Sequence, residues 1–212
     1  MSETTPWPKL KRDLVAILRG LRPQTCEAIV AVLIEAGFEA IEIPLNSPEP
    51  FLSIERASML APDGVLIGAG TVLDAASVDR LADCGGELLV SPNVDAAVLR
   101  RAREQGLVTM PGVFTATEAL AAASLGASAL KFFPASVLGP SGITAIRAVL
   151  PAGLPIGAVG GVSEADFAAY GAAGIRHFGL GSSLYKPGDD AATVKARAER
   201  TIRAYDAVFA AG

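Results

Sequence analysis

Ala129-Leu130-Lys131-Phe132-Phe133-Pro134 places one charge inside an otherwise apolar run that a proline closes. Apolar runs of this length, ended by proline, suit a central strand of a parallel sheet buried on both faces. A lysine is costly there, because burial disfavours its ammonium and lowers its pKa. A lysine made partly neutral near pH 7 is a nucleophile able to form a Schiff base with a carbonyl compound. The competing reading is a lysine at the strand end, snorkelling into solvent or paired with a carboxylate. The rest of the chain has to decide between them.

Outward from this stretch, short apolar strands alternate with alanine-rich helical segments. The strands are predicted at Leu14–Leu18, Ala40–Leu45, Val65–Gly68, Leu88–Ser91, Val108–Met110, Ala129–Phe133, Ile156–Val159 and His177–Leu180. The helices are predicted at Thr25–Ala36, Pro50–Leu60, Ala75–Cys84, Ala96–Gln105, Thr117–Leu125, Ser141–Leu150, Glu164–Ala173 and Ala191–Phe209. Glycines 37, 106, 126 and 174 sit where helix stops belong. Strands recurring at intervals of roughly 20 to 30 residues, each followed by a helix, point to a single α/β domain with the (β/α)8 TIM-barrel fold. A doubly wound open sheet has the same alternation and stays open as the second reading. No linker or low-complexity tract divides the chain, so residues 11–212 are read as one barrel domain and 1–10 as an N-terminal lead-in, polar, proline-bearing and loose.

Composition narrows the function classes. The 212 residues are 51% hydrophobic with a formal charge of −4, enough chain for one sizeable core. Basic clusters are absent, which argues against a nucleic-acid partner. No stretch is long and apolar enough to span a bilayer, and the amino end lacks the apolar core of a signal peptide. Cys26 and Cys84, far apart and without C-x-x-C spacing, read as reduced core thiols of a cytoplasmic protein. His177 is the only histidine. That excludes a multi-histidine zinc site, and its position at the start of a strand suits packing better than catalysis.

A barrel reading demands that functional groups lie at the carboxyl ends of the strands. The unusual residues do. Arg19 and Gly20 follow the first strand, Glu42 lies in the second, and Gly68-Ala69-Gly70-Thr71 ends the third. Ser91-Pro92-Asn93 ends the fourth, Pro111-Gly112 the fifth, Gly160-Gly161 the seventh and Gly181-Ser182-Ser183 the eighth. A carboxylate among Ile41, Ile43 and Pro44 has its pKa raised toward neutrality, which suits proton transfer. It could instead pair with Lys131 or Arg19 and merely satisfy buried charge. An inward lysine and an inward glutamate on different strands favour catalysis. Arg19 offers a planar fork for a carboxylate. Gly68-Ala69-Gly70-Thr71 resembles an anion-binding turn but lacks the remaining parts of a dinucleotide fingerprint. Loops after strands seven and eight are the recurrent phosphate site of such barrels, which singles out Gly160, Gly161, Gly181 and Ser182.

With these residues in view, the chain resembles the KDPG/KDPGal aldolase family of class I barrel lyases. The motifs are Ala16-Ile17-Leu18-Arg19-Gly20, Ile41-Glu42-Ile43-Pro44-Leu45-Asn46-Ser47-Pro48, Ile67-Gly68-Ala69-Gly70-Thr71-Val72, Leu130-Lys131-Phe132-Phe133-Pro134 and Val159-Gly160-Gly161-Val162. Together, and in this order, they cover nearly the whole chain. The resemblance implies a homotrimer of barrels that cleaves 2-keto-3-deoxy-6-phospho sugar acids to pyruvate and D-glyceraldehyde 3-phosphate, with no metal or organic cofactor. It implies Lys131 as the Schiff-base lysine, Glu42 as the proton carrier, Arg19 and Thr71 at the substrate carboxylate, and Gly160, Gly161 and Ser182 at the phosphate. Pro92, Gly181 and Asn46 complete the candidate substrate-binding set.

One motif separates two branches of that family. Where phosphogluconate enzymes follow the glutamate with a Thr-Leu-Arg pattern, this chain reads Pro44-Leu45-Asn46 and so looks like the phosphogalactonate branch. The substrates are epimers at C4, the carbon whose hydroxyl loses its proton on cleavage. The expected activity is therefore on 2-dehydro-3-deoxy-6-phosphogalactonate. The alternatives are the gluconate epimer as main substrate, and a non-catalytic barrel that binds sugar phosphates. Phosphate binding alone needs neither Lys131 nor Glu42.

Overall fold

Period-two alternation decides which side chains enter the interior. In β1 (Leu14–Ile17) and β2 (Ala40–Pro44), Leu14, Ala16, Ile41 and Ile43 face outward into the large core shared with the helices. Val15 and Ala40 face inward, into a smaller cluster with Leu66, Leu88, Val90, Val108, Met110 and Ala129. The same rule holds in β3 (Leu66–Gly70), β4 (Leu88–Val90), β5 (Val108–Met110) and β7 (Leu130–Phe132). The structure, a computed structural model, describes residues 4–209. The first three residues of the expected lead-in and the last three of the expected domain lie outside the described residues.

All strand pairs are parallel, in the order β5-β4-β3-β2-β1-β9-β8-β7-β6, with β6 at Gly112–Val113, β8 at Ile156–Val159 and β9 at His177–Leu180. The two ends of that order, β5 and β6, are halves of one strand broken at Pro111, which has no N–H to give the ladder. The Ala129 N–H donates to the Thr109 carbonyl (3.0 Å) and the Lys131 N–H to the Pro111 carbonyl (2.9 Å). Those bonds close the ring, and the fold is a (β/α)8 barrel of eight strand positions.

Helices α1 (Pro23–Ala36) and α2 (Pro50–Leu60) start on prolines, while α3 (Ala75–Asp83) and α4 (Ala96–Glu104) start on aspartate caps. In α5 (Ala116–Ser124), Thr115 and Glu118 form a reciprocal capping box. Observed elements match the predicted ones within about two residues except at α6, at the seventh helix and at β6, a strand the sequence does not mark. Helix α6 runs from Ala135 to Arg147 instead of starting at Ser141, because a first turn precedes the break at Gly139 (φ 65°, ψ 171°). Gly139-Pro140 reads in sequence as the start of the helix; the Ala135–Leu138 turn before it carries no such mark. The seventh helix likewise divides, into a 3-10 turn (Glu164–Asp166) and α7 (Phe167–Ala172), before α8 (Ala191–Phe209).

The amino-terminal segment is not loose where it is described. Trp7 and Leu10 pack beneath the interior cluster, and the Ser128 hydroxyl donates to the Thr5 carbonyl (2.5 Å). Trp7 meets the His177 ring edge-on at 5.8 Å, and His177 Nε2 lies 3.3 Å from Asp13 Oδ1. His177 is thus a packing residue at the amino-terminal end of the barrel, its pKa lowered mainly by burial. Cys26 and Cys84 are free thiols. Among the described residues no helix is long and apolar enough to cross a membrane. Removing the half-buried indole in Trp7→Ala should cost about 2 kcal/mol and lower the melting temperature by roughly 4–8 °C. Because Trp7 sits at the end opposite the strand carboxyl termini, turnover at 25 °C should stay within twofold of the parent; an unchanged melting curve would contradict this packing role.

Candidate active site

Two residues further along β2 and β7 than the inward Ala40 and Ala129, the inward position carries a charge-bearing side chain. Glu42 in β2 is in register with Ile17 and Gly68, and Lys131 in β7 with Gly112 and Gly157. In a ring of eight, β2 and β7 are diametrically opposed, so the two groups enter one cavity from opposite walls. That cavity, about 820 Å³, is also lined by Arg19, Gly160, Gly161, Gly181 and Ser182.

Both groups are deeply buried: Glu42 is 2% exposed and Lys131 6%. Desolvation dominates each, pushing the glutamate up to about 7 and the lysine below its ordinary value. Their mutual attraction opposes both shifts without cancelling them, while Arg19 lowers Glu42 and lowers Lys131 further. No ion pair or hydrogen bond joins them, and Glu42 Oε2 has no hydrogen-bond partner among the described residues. The reading in which a salt bridge merely satisfies these charges is therefore not the one observed. The Lys131 ammonium rests 4.8 Å from the centre of the Phe133 ring.

Glycines make the room. A Cβ on Gly70 would lie 2.0 Å from Glu42 Oε2, and one on Gly68 would lie 1.8 Å from the Leu88 carbonyl oxygen. Gly68-Ala69-Gly70 is accordingly strand β3, with the Gly70 carbonyl accepting from Leu45 N–H (2.8 Å), and not an anion-binding turn. Gly160 has φ +90° and would bring a Cβ within 2.9 Å of the Phe133 ring that supports Lys131.

At the rim, Arg19 Nη1 donates to Asn46 Oδ1 (2.7 Å), and Gly20 N–H to the buried Ser47 hydroxyl (2.8 Å). Asn46 thus reaches the cavity through Arg19. Thr71, at φ +56°, and Pro92 stand at the ends of β3 and β4, outside the residues that line the cavity. The backbone of Pro92 packs on Gly112, where a Cβ would come within 2.3 Å of its carbonyl oxygen. Sequence reasoning missed Phe133, Ser163, Tyr185, Lys186 and Pro187 on the cavity wall. Only Lys186 carries a signal that could have found it, a cation a few residues beyond the last strand.

The family profile described as KDPG and KHG aldolase matches residues 9–196. The chain is 69% identical to the probable 2-dehydro-3-deoxy-6-phosphogalactonate aldolase of Rhizobium meliloti strain 1021, over 96% of each chain. It is 46% identical to the 2-dehydro-3-deoxy-6-phosphogalactonate aldolase of Escherichia coli K12, over 92% of this chain and 95% of that one. A solved structure described as native KDPGal superposes with a TM-score of 0.92 at 44% identity, covering 96% and 98% of the two chains.

The raised pKa of Glu42 has a consequence for stability. Below pH 4.5 the carboxyl is neutral folded and unfolded; between there and about pH 7 the unfolded chain ionises first, so the native state loses stability as pH rises. The loss is roughly 3 kcal/mol by pH 8, set by the distance between 4.5 and about 7. Glu42→Gln, neutral throughout, should raise the melting temperature at pH 8 by more than at pH 4, reduced by what Lys131 loses with its counter-charge. Equal shifts at the two pH values would refute this account.

Proposed function

The chain belongs to the KDPG and KHG aldolase family, and we propose that it is a class I aldolase cleaving 2-dehydro-3-deoxy-6-phosphogalactonate to pyruvate and D-glyceraldehyde 3-phosphate. The observation that carries the chemistry is the buried, unpaired juxtaposition of Lys131 and Glu42 across one cavity. Desolvation raises the fraction of neutral amine on Lys131, and that amine adds to the C2 ketone of the substrate. Burial raises the Glu42 carboxyl to about 7, toward the range in which one group can both give and take a proton.

In the proposed sequence Glu42 protonates the departing hydroxyl of the carbinolamine, and water leaves to form the iminium. Its carboxylate then removes the C4 hydroxyl proton. The C3–C4 bond breaks, its electron pair passing through C3 into the iminium nitrogen, and the aldehyde departs. Glu42 returns the proton to C3 of the enamine, and water hydrolyses the resulting iminium to pyruvate and free Lys131. Arg19 would hold the substrate carboxylate with Thr71 beside it at the end of β3. The backbone N–H groups near Gly160, Gly161 and Gly181, with the Ser182 hydroxyl, would hold the phosphate, and Pro92 would act on the site from behind it, by bracing Gly112 beside Lys131.

The choice of epimer rests on Asn46 and on the relatives at 69% and 46% identity. Asn46 is proposed to act through Arg19, whose guanidinium it fixes, rather than by reaching C4 itself. We further propose a cytoplasmic homotrimer. The exposed apolar side chains Leu73, Phe114 and Val137, all following the carboxyl ends of strands, support burial against another copy.

Borohydride reduction in the presence of pyruvate should add a three-carbon adduct to Lys131, detectable by peptide mass, and Lys131→Ala should lose both adduct and turnover. With both phosphorylated epimers as substrates, kcat/KM should favour the galactonate form; a strong preference for the gluconate form would overturn the epimer reading while leaving the aldolase intact. Sedimentation equilibrium should return three times the 21.6 kDa chain mass, and a monomer would remove the trimer.

A further inference from the structure

The two ends of the cavity are unequally provided with charge. Arg19 serves one end, whereas the phosphate end as drawn above holds only neutral groups. A phosphate monoester carries roughly −1.5 to −2 near neutrality. Four serines lie nearby, but two are engaged: the Ser163 hydroxyl with the Asp166 carboxylate (3.0 Å) and the Ser183 hydroxyl with the Val162 carbonyl (3.4 Å). Ser182 and Ser136, whose Oγ lies 2.5 Å from where a Cβ on Gly161 would stand, are left to donate, and neutral hydroxyls with backbone N–H groups leave most of that charge uncompensated.

Lys186 lies on the same loop as Ser182 and lines the same cavity. Among the described residues its ammonium forms no ion pair. The adjacent acid, Asp189, is held by Arg197 and acts on Lys186 only at longer range. The loop that carries the lysine is nonetheless anchored. Its backbone N–H donates to Asp189 Oδ2 (2.7 Å), and Arg197 Nη1 also donates to the Leu184 carbonyl (3.4 Å). Pro187 packs so closely on Gly20 that a Cβ there would come within 2.7 Å of Pro187 Cγ. The backbone at Lys186 is thus held on a loop packed against the β1 loop, while the residue itself is exposed.

We infer that Lys186 is the charge partner of the substrate phosphate, a binding residue remote from the breaking C3–C4 bond; the inference rests on the aldolase reading above. A cation at an exposed rim acts on capture and on its salt dependence more than on chemistry. The size expected of an exposed ion pair is up to about fivefold.

The test compares parent, Lys186→Gln and Lys186→Arg at about 50 and 500 mM salt. It measures kcat and KM on the phosphorylated substrate, Ki for inorganic phosphate, and the extent of borohydride-trapped pyruvate adduct. For Lys186→Gln, KM and the phosphate Ki should rise about two- to fivefold at low salt and lose most of their salt dependence. Its kcat and pyruvate adduct should stay at parental values, and Lys186→Arg should restore KM. Unchanged KM and Ki would overturn the assignment. A pyruvate adduct weakened in step with KM would do so too, by moving Lys186 to the carboxylate end. A parent that forms no pyruvate adduct and cleaves neither epimer would instead sink the aldolase reading, and this inference with it.

Discussion

The barrel is organised around a carboxyl group that it cannot hydrate. Glu42 enters the interior from β2 with one oxygen unpartnered, opposite Lys131 on β7. Burying either charge alone costs several kcal/mol, and a close ion pair would recover part of that cost while leaving both groups chemically inert. The structure takes neither course. The groups are near enough to feel one another and too far apart to bond, so each retains a pKa displaced toward neutrality. Hydrogen-bonding Glu42 to a fixed donor would favour the carboxylate and lower its pKa again.

This arrangement explains why the inner wall is rich in glycine. Register puts Gly68 beside Glu42, and Gly112 and Gly157 on either side of Lys131. Side chains at these places would collide with the Leu88 backbone, the Pro92 carbonyl and the Met110 methyl. Gly70 is the sharpest case, since the space its Cβ would fill holds the Glu42 carboxylate. The lower half of the interior has the opposite character, being filled by Val15, Leu66, Leu88, Val108 and Met110 over Trp7. Packing density is kept at the amino-terminal end of the strands, and space and desolvated charge at the other, the division expected of a barrel that works at its carboxyl face.

Much of this was legible in the sequence because its signals are local. Alternation within strands of three to five residues marked the ring, and a charge inside an apolar run marks its own burial, as at Lys131 and Glu42. What was not legible depends on register and on distant neighbours. The break at Pro111 that closes the barrel reads as an ordinary strand end. Gly68-Ala69-Gly70 carries the composition of a loop and is a strand, because the reason for its glycines lies on β2 and β4. The amino-terminal segment looks like a polar leader, and only the open base of the ring shows why it contains a tryptophan. The wall contributed by Tyr185, Lys186 and Pro187 belongs to a loop whose position is set by Asp189, Arg197 and Gly20, contacts that no short motif encodes.

Asn46 illustrates how a single difference between branches can act at one remove. Its amide oxygen accepts from Arg19, and an arginine at this position would have no acceptor to offer and a like charge to place beside Arg19. The guanidinium of Arg19 would have to move or find another partner. If Arg19 holds the carboxylate next to C2, its placement sets how the sugar acid lies along the axis between Lys131 and Glu42. The two epimers differ only in which side of C4 bears the hydroxyl, while proton removal requires that hydroxyl within hydrogen-bond reach of Glu42. A small rotation of the bound chain about its carboxylate anchor would therefore exchange the epimer whose proton is accessible. Discrimination of this kind needs no side chain in contact with C4, only an anchor held in a different place.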